Sequence, residues 1–461
     1  MTETLDPTNP LAELRTRVRG AVLGRGEPGH DEACLAWNRV HRHHPDVVVV
    51  AEDAADVAEA VRFAAATGRG LAVQATGHGV ARPAEGGVLL LTHRLQELTI
   101  DPEEGTAWVG AGVRMGAVLA AAQDHGLAPL VGSSPEVGAV GYTLGGGVGW
   151  LARKYGTAAD SVRQFRVVTP AGAEVRAARD EHPELFWALR GGGGGSLGVV
   201  TAMEIELFPV TNVYGGNLLY PAEMAGEILA RYAEWVTDAP DELTSAVVLL
   251  NCPPTPDVPE ALRGRSWTVV RGCWCGPLPE GEALLDEWRS LAPPVVDLWG
   301  KLRLGDVASI SNDPVDPLPA VITGACLAEV TREVADVLAA RTFSPAGAPP
   351  VVFSEVRHLG GALGHGARRD GLGPRQAPFL FHAVGFAPTP AAAEEVARHH
   401  AGTREALGAA LDGTVHLNFV DGEERRARTR DAFTPESYER LRALKAELDP
   451  NDVLRYGVDL G

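Results

Sequence analysis

Pro183-Glu184-Leu185-Phe186-Trp187-Ala188-Leu189-Arg190 runs into five glycines at 191–195 and then into Ser196-Leu197-Gly198-Val199. The leading proline predicts a short helix, closed by the glycines. Residues 198–208 alternate in character and read as a strand, which Pro209 ends. A glycine run between helix and strand exposes several backbone N–H groups with no side chain in the way. Such nests hold pyrophosphate without a lysine. A second cluster lies upstream, Gly141-Tyr142-Thr143-Leu144-Gly145-Gly146-Gly147-Val148-Gly149-Trp150. The plainer reading of one cluster is a tight turn where strands pack closely. Three clusters within about 100 residues favour a large phosphate-bearing cofactor.

The third cluster, Gly110-Ala111-Gly112-Val113-Arg114-Met115-Gly116, follows a strand and opens a helix. It imitates the dinucleotide fingerprint, which also needs an acidic residue about 20 positions later to hold a ribose. Residues 127–131 offer none, and Pro129 interrupts them. A nicotinamide Rossmann unit is therefore disfavoured. No G-x-x-x-x-G-K-[ST] occurs, so a P-loop is not supported.

Glycine is in excess, 54 of 461 residues, and it clusters without a period, which excludes collagen and solenoid repeats. The length allows two or three domains. Hydrophobic residues at 45% and charged residues at 22% are ordinary for a globular chain. No apolar run is long enough to span a membrane. The opening twenty residues lack an apolar h-region, so no signal peptide is expected. The net charge of −19 makes nucleic acid and anionic membranes poor partners. Cys34, Cys252, Cys273, Cys275 and Cys326 are few and scattered. They predict no disulfide framework, no metal centre, and a reducing, cytoplasmic setting.

Along the chain, 1–40 reads as an N-terminal helix (10–22) and lead-in. Residues 41–210 hold alternating strands and helices, with strands at 46–51, 71–75, 88–91, 106–109 and 164–169. Residues 129–149 read as one long glycine-rich loop. The stretch 211–413 differs, with amphipathic helices at 222–237, 280–290 and 391–411. Its strands fall at 243–250, 267–274, 351–357 and 378–386, and proline-rich loops such as 345–350 join them. This predicts an α+β domain, an antiparallel sheet with helices on one face. The tail, 414–461, returns to a strand, a helix at 435–447 and an extended end.

The order of these motifs resembles a known family. Thr76-Gly77-His78-Gly79, the 110–116 loop, Ser134-Pro135-Glu136-Val137-Gly138, the 141–150 cluster and the 183–194 run occur in sequence. His416-Leu417-Asn418-Phe419-Val420-Asp421 and Lys445 to Asp449-Pro450-Asn451 complete a C-terminal signature. The chain resembles the berberine-bridge-enzyme-like branch of the p-cresol methylhydroxylase/vanillyl-alcohol oxidase superfamily. The resemblance covers nearly everything from about residue 41 onward and is weakest at 211–350. It implies an α+β architecture: a two-lobed FAD-binding domain at 41–210, a substrate domain at 211–413, and a C-terminal segment at 414–461 that returns to the flavin lobes.

By the same resemblance FAD is held by Gly77, His78, Gly79, Gly110, Gly112, Ser134, Val137, Gly138, Gly141, Tyr142, Gly145, Gly146, Gly147, Gly198, Val199 and Asn418. His78 matches the family histidine bonded covalently to the flavin 8α-methyl group. Its plainer reading is a loop histidine hydrogen-bonded to backbone. Ser134 stands where many relatives carry a cysteine that makes a second bond, so a single covalent link is expected. Tyr142 stands where relatives often place a histidine near the ribityl chain, and a packed aromatic is the alternative.

Flavin chemistry needs a base beside the donor carbon. Relatives often carry Tyr-x-Asn-Tyr near the C-terminus, and here the matching residues are His416, Asn418 and Phe419. Phenylalanine takes no proton. His416, expected to share a strand face with Asn418, is one candidate base. Alternation puts Phe353, Glu355 and Arg357 on one face of a strand. Glu355 is a second candidate base, with Arg357 as its partner or as a substrate anchor; the alternative is a structural ion pair. His382 is a weaker candidate. Val137 matches a position that gates oxygen in this branch.

The expected function is an FAD-dependent oxidase of a small metabolite (an alcohol, hemiacetal, amine or phenolic precursor). Hydride would pass to flavin N5, and O2 would be reduced to H2O2. The alternatives are a dehydrogenase using another acceptor and a non-catalytic flavin-fold binding protein. A monomer or homodimer is expected.

Overall fold

The computed structural model describes residues 10–461 except 193, 257, 344–349, 365–370 and 373–375. Most of the proline-rich stretch 345–350, and Gly193 of the five-glycine run, thus lie outside the described residues.

Two small sheets form the N-terminal half. In the first, Val22–Gly24, Val47–Val50, Val88–Leu91 and Leu71–Gln74 lie side by side in that order. The last three are parallel. Their runs of Val and Leu are apolar at successive positions because both faces of a parallel sheet are covered. The helix Ala54–Ala66 covers one face, and Asp53 caps it by accepting from Asp56 N at 3.0 Å. The second sheet is antiparallel. It runs Leu98–Asp101, Thr106–Gly110, Val199–Glu206, Val162–Val168, Glu174–Ala178.

Between 212 and 386 lies one large antiparallel sheet. Its central strands run Asn212–Pro221, Ser266–Trp274, Leu243–Asn251, Phe353–His358, Phe379–Phe386, Ala320–Leu327. The helices Ala225–Trp235, Leu278–Leu291, Arg332–Thr342 and Pro390–Leu407 accompany it. Ile228, Tyr232, Trp288 and Leu338 pack on Leu218, Val247, Val270 and Phe381 from the strands. Strand periodicity turns the intervening residues, Arg271, Glu355 and Arg357, the other way. There the two arginines meet Trp150, at the end of the 141–150 cluster.

The tail stitches the N-terminal half together. Leu71 N donates to Val453 O at 2.7 Å, and Ser196 Oγ donates to Val458 O at 2.6 Å. Asp449 holds the turn after the helix Pro435–Leu448 by accepting from Val453 N and Leu454 N, each at 2.8 Å.

Two expectations are corrected, and one helix is added. Residues 129–149 are not one loop, because Ala139–Leu144 is a short helix. Gly141 sits within that helix, against its low propensity, so local signals point away from it. The segment 415–420 is not a strand: Leu417–Phe419 is a single 3₁₀ turn, so His416 and Asn418 share no strand face. The helix Arg332–Thr342, capped by Thr331, was not anticipated.

Candidate functional site

A cavity of about 310 Å³ opens where the first sheet, the helix Ala139–Leu144, the large sheet and the tail converge. His78 enters from the turn after the strand Leu71–Gln74. Gly77 makes that turn possible, with φ +79 and with Ala36 Cα only 2.7 Å from where a Cβ would stand. The His78 ring stacks on Trp37 with centroids 4.3 Å apart. Its Nδ1 lies 2.8 Å from Thr76 Oγ1, while Nε2 is buried with no partner. The imidazole therefore bonds a neighbouring side chain, not the backbone. Burial, helped by the charge of Arg114, lowers its pKa to about 4. At neutral pH the ring is uncharged.

Tyr142 also reaches the wall. Its hydroxyl is buried without a partner, and burial pushes its pKa well up, so it stays a neutral donor. Asn418 braces the same loop from the tail. Its Oδ1 accepts from Gly147 N at 2.9 Å, and its Nδ2 donates to Tyr142 O at 3.1 Å.

The glycines separate into two kinds. At Gly141 a Cβ would meet nothing within 4 Å, and at Gly79 only Arg425 Nη1 at 3.7 Å. These, with Gly138, offer bare backbone to the cavity. Gly110, Gly112, Gly146 and Gly147 do not line it. A Cβ at Gly110 would stand 2.4 Å from Leu95 O, and at Gly112 2.6 Å from Thr92 O. A Cβ at Gly147 would stand 2.6 Å from Ala158 Cβ, and at Gly146 2.9 Å from a Leu372 methyl. For these four, close packing is the reason for glycine. Gly145 and Gly198 line the cavity and are closely packed as well. Gly77, Ser134, Val137 and Val199 stand on the wall, and Ser134 Oγ accepts from Glu136 N at 3.3 Å.

From the large sheet, Arg357 reaches the cavity and Glu355 does not. Glu355 pairs with Arg271, and its Oε1 accepts from Arg357 Nε at 2.8 Å. Burial alone would raise its pKa, but the two guanidiniums prevail and hold it at about 2. Arg357 stacks over Trp150 at 4.9 Å and Phe419 at 5.6 Å. His416 is buried just off the wall, 6.4 Å from the Phe419 ring. His382 lies across from Glu355 in the next strand, and burial lowers its pKa to about 4.

Sequence reasoning missed Arg82 and Arg425, both on the wall. Arg425 Nε is buried without a partner, and burial lowers its pKa to about 10. Only the tail's fold back onto the His78 loop brings it there. Bare glycine backbone, unpaired guanidinium and an orphaned imidazole nitrogen suit a phosphate-bearing aromatic cofactor. Among the described residues no cluster could hold a metal ion, and no helix is long and apolar enough to cross a membrane.

Comparison with known proteins agrees with this donor set. Residues 45–178 match the FAD binding domain model. (R)-6-hydroxynicotine oxidase of Paenarthrobacter nicotinovorans is 33% identical over 239 residues, 51% of this chain and 49% of that protein. The match thus spans about half the length of that relative. The FAD-linked oxidoreductase YgaK of Bacillus subtilis (strain 168) is 25% identical over 96% of this chain and 97% of its own. Among solved structures, 6-hydroxy-D-nicotine oxidase from Arthrobacter nicotinovorans superposes with a TM-score of 0.83 at 24% identity, covering 96% of this chain and 98% of that one. Physcomitrella patens BBE-like 1 gives 0.84 at 19% identity, covering 98% and 99%. These two likenesses establish the fold. With the matched domain and the full-length relative, they mark the chain as an FAD-linked oxidoreductase whose fold is similar to that of 6-hydroxy-D-nicotine oxidase and the BBE-like proteins.

Proposed function

We propose that this protein is an FAD-dependent oxidase of a small organic metabolite, with the flavin tethered through His78 alone and O2 as the electron acceptor. The observation that carries the reading is the His78 imidazole on the cavity wall: neutral, stacked on Trp37, and with its Nε2 buried without a partner. When bound, the flavin supplies a two-electron acceptor for substrate hydride and hands those electrons to oxygen.

The chain's own residues position and polarise. Trp37 and Thr76 fix the His78 ring in one orientation. Bare backbone at Gly138 and Gly141 and the cations Arg82 and Arg425 suit an anionic, flat ligand. Tyr142 offers an O–H donor. Arg357 with Phe419, Ile322 and Val148 walls the substrate side. Glu355, at about 2 and behind Arg357, is too weak a base and serves as the counter-ion of that wall.

The test is an absorbance spectrum of purified protein before and after acid precipitation. Yellow colour staying with the pellet in wild type, and released to the supernatant in His78→Ala, supports the tether. A colourless protein that stays colourless after incubation with FAD overturns the reading. Peroxide formation during turnover in air tests the acceptor.

A further inference from the structure

The large sheet carries an uneven count of buried charge. Two guanidiniums, Arg271 and Arg357, share the one carboxylate of Glu355. The groups facing them add no second anion. Across the strands, Arg357 stands opposite Ala246 and Leu380, and Glu355 opposite Val248 and His382. Trp150 and Phe419 cover the guanidinium of Arg357 with ring faces. Its side chain is 4% exposed, and among the described residues its bond to a protein acceptor runs through Nε, to Glu355 Oε1. Arg357 lines the cavity.

A buried guanidinium with a bare edge is costly unless a ligand completes it. The phenol of Tyr142 adds a second buried, partnerless donor on the same wall, and it feels the Arg357 charge. A planar guanidinium edge is the geometry that pairs two carboxylate oxygens. Arg82 and Arg425 form a separate group, sharing a small cleft with Gly457 and Asp459. The remaining acid on the wall, Asp421, already accepts from Asn38 Nδ2 at 2.8 Å and lies 3.0 Å from His41 Nε2. In a chain of net charge −19, this cavity is locally cationic.

We propose that the substrate is an organic carboxylate, whose carboxylate group pairs with the Nη edge of Arg357 and accepts from the Tyr142 hydroxyl. Its apolar body lies against Phe419, Ile322 and Val148. This rests on the flavoenzyme reading above and narrows its substrate from any small metabolite to an anionic one. Glu355 is then a positioning residue, holding Arg357 by its Nε so that the Nη edge stays free.

The test titrates the purified holoprotein with benzoate and with its neutral counterpart benzamide, following the visible flavin bands and, in parallel, binding heat. Benzoate should bind saturably and at least about tenfold tighter than benzamide, the scale of a charge-assisted pair. Arg357→Gln should erase that preference, while Arg357→Lys, which keeps the charge, should keep part of it. Tyr142→Phe should weaken benzoate more than benzamide, because the bond to the charged acceptor is the stronger. Equal binding of the two probes, or a preference that survives Arg357→Gln, overturns the proposal. The calorimetric arm needs no flavin. A colourless protein would fail the flavoenzyme reading alone, and the benzoate preference would still decide this one.

Discussion

The side-chain amide of Asn418 bridges Gly147 and Tyr142, accepting from the amide of the first at 2.9 Å and donating to the carbonyl of the second at 3.1 Å. A residue of the tail thereby sets the shape of a loop about 270 positions earlier in the chain. The Asn418 amide also presses on Gly145, where a Cβ would stand 2.7 Å from Nδ2. Asn418→Ala removes both bonds and leaves part-buried backbone groups unsatisfied. It should cost about 1–3 kcal/mol of stability and lower flavin content. Thermal melts, with the ratio of flavin to protein absorbance, check both.

The two kinds of glycine predict opposite outcomes for the same substitution. At Gly141 an added methyl meets no protein atom within 4 Å, and alanine favours a helix. Gly141→Ala should leave Tm unchanged or slightly higher while reducing FAD uptake, because the methyl enters the cavity. At Gly149 the Cβ would stand 1.7 Å from Val131 O. Gly149→Ala should destabilise the fold itself. Melting curves together with FAD titration separate the two effects.

Glu355 neutralises one of two buried guanidiniums. Glu355→Gln leaves Arg271 and Arg357 without a carboxylate, and should destabilise by about 3–5 kcal/mol. Denaturant unfolding measures it. Because this pKa is lowered from 4.5 to about 2, its stabilisation is full above the ordinary carboxylate range and is lost as pH falls toward 2. The activity profile should therefore show no ionisation of Glu355 between pH 4 and 9.

His43, His78 and His400 all have pKa values lowered from 6.5 to about 4, chiefly by burial. Between pH 6.5 and 4 the unfolded chain binds protons there and the native chain does not. Stability should fall with pH across that window. Melting temperature against pH checks the slope in wild type. The slope should be shallower in His400→Gln.

Much of this protein is legible without its structure. The parallel strands Val47–Val50 and Val88–Leu91, the sheet-and-helix character of 211–413, and the Glu355–Arg357 alternation are local patterns, and local patterns survive in one dimension. His78 and part of the glycine set singled out in the sequence, Gly138, Gly141, Gly145 and Gly198, line one cavity. Strand pairing and chain reversal decided the rest. Arg271 became the second partner of Glu355 because Leu243–Asn251 lies between their strands, with Ala246 beside Arg271 and Val248 beside Glu355. Arg425 joined the cavity because the tail folds back onto the His78 loop. Gly110 and Gly112 left the cofactor set because neighbouring carbonyls occupy the space a Cβ would need. Side chains far apart in sequence meet only through register and close packing, which no local pattern of residues encodes.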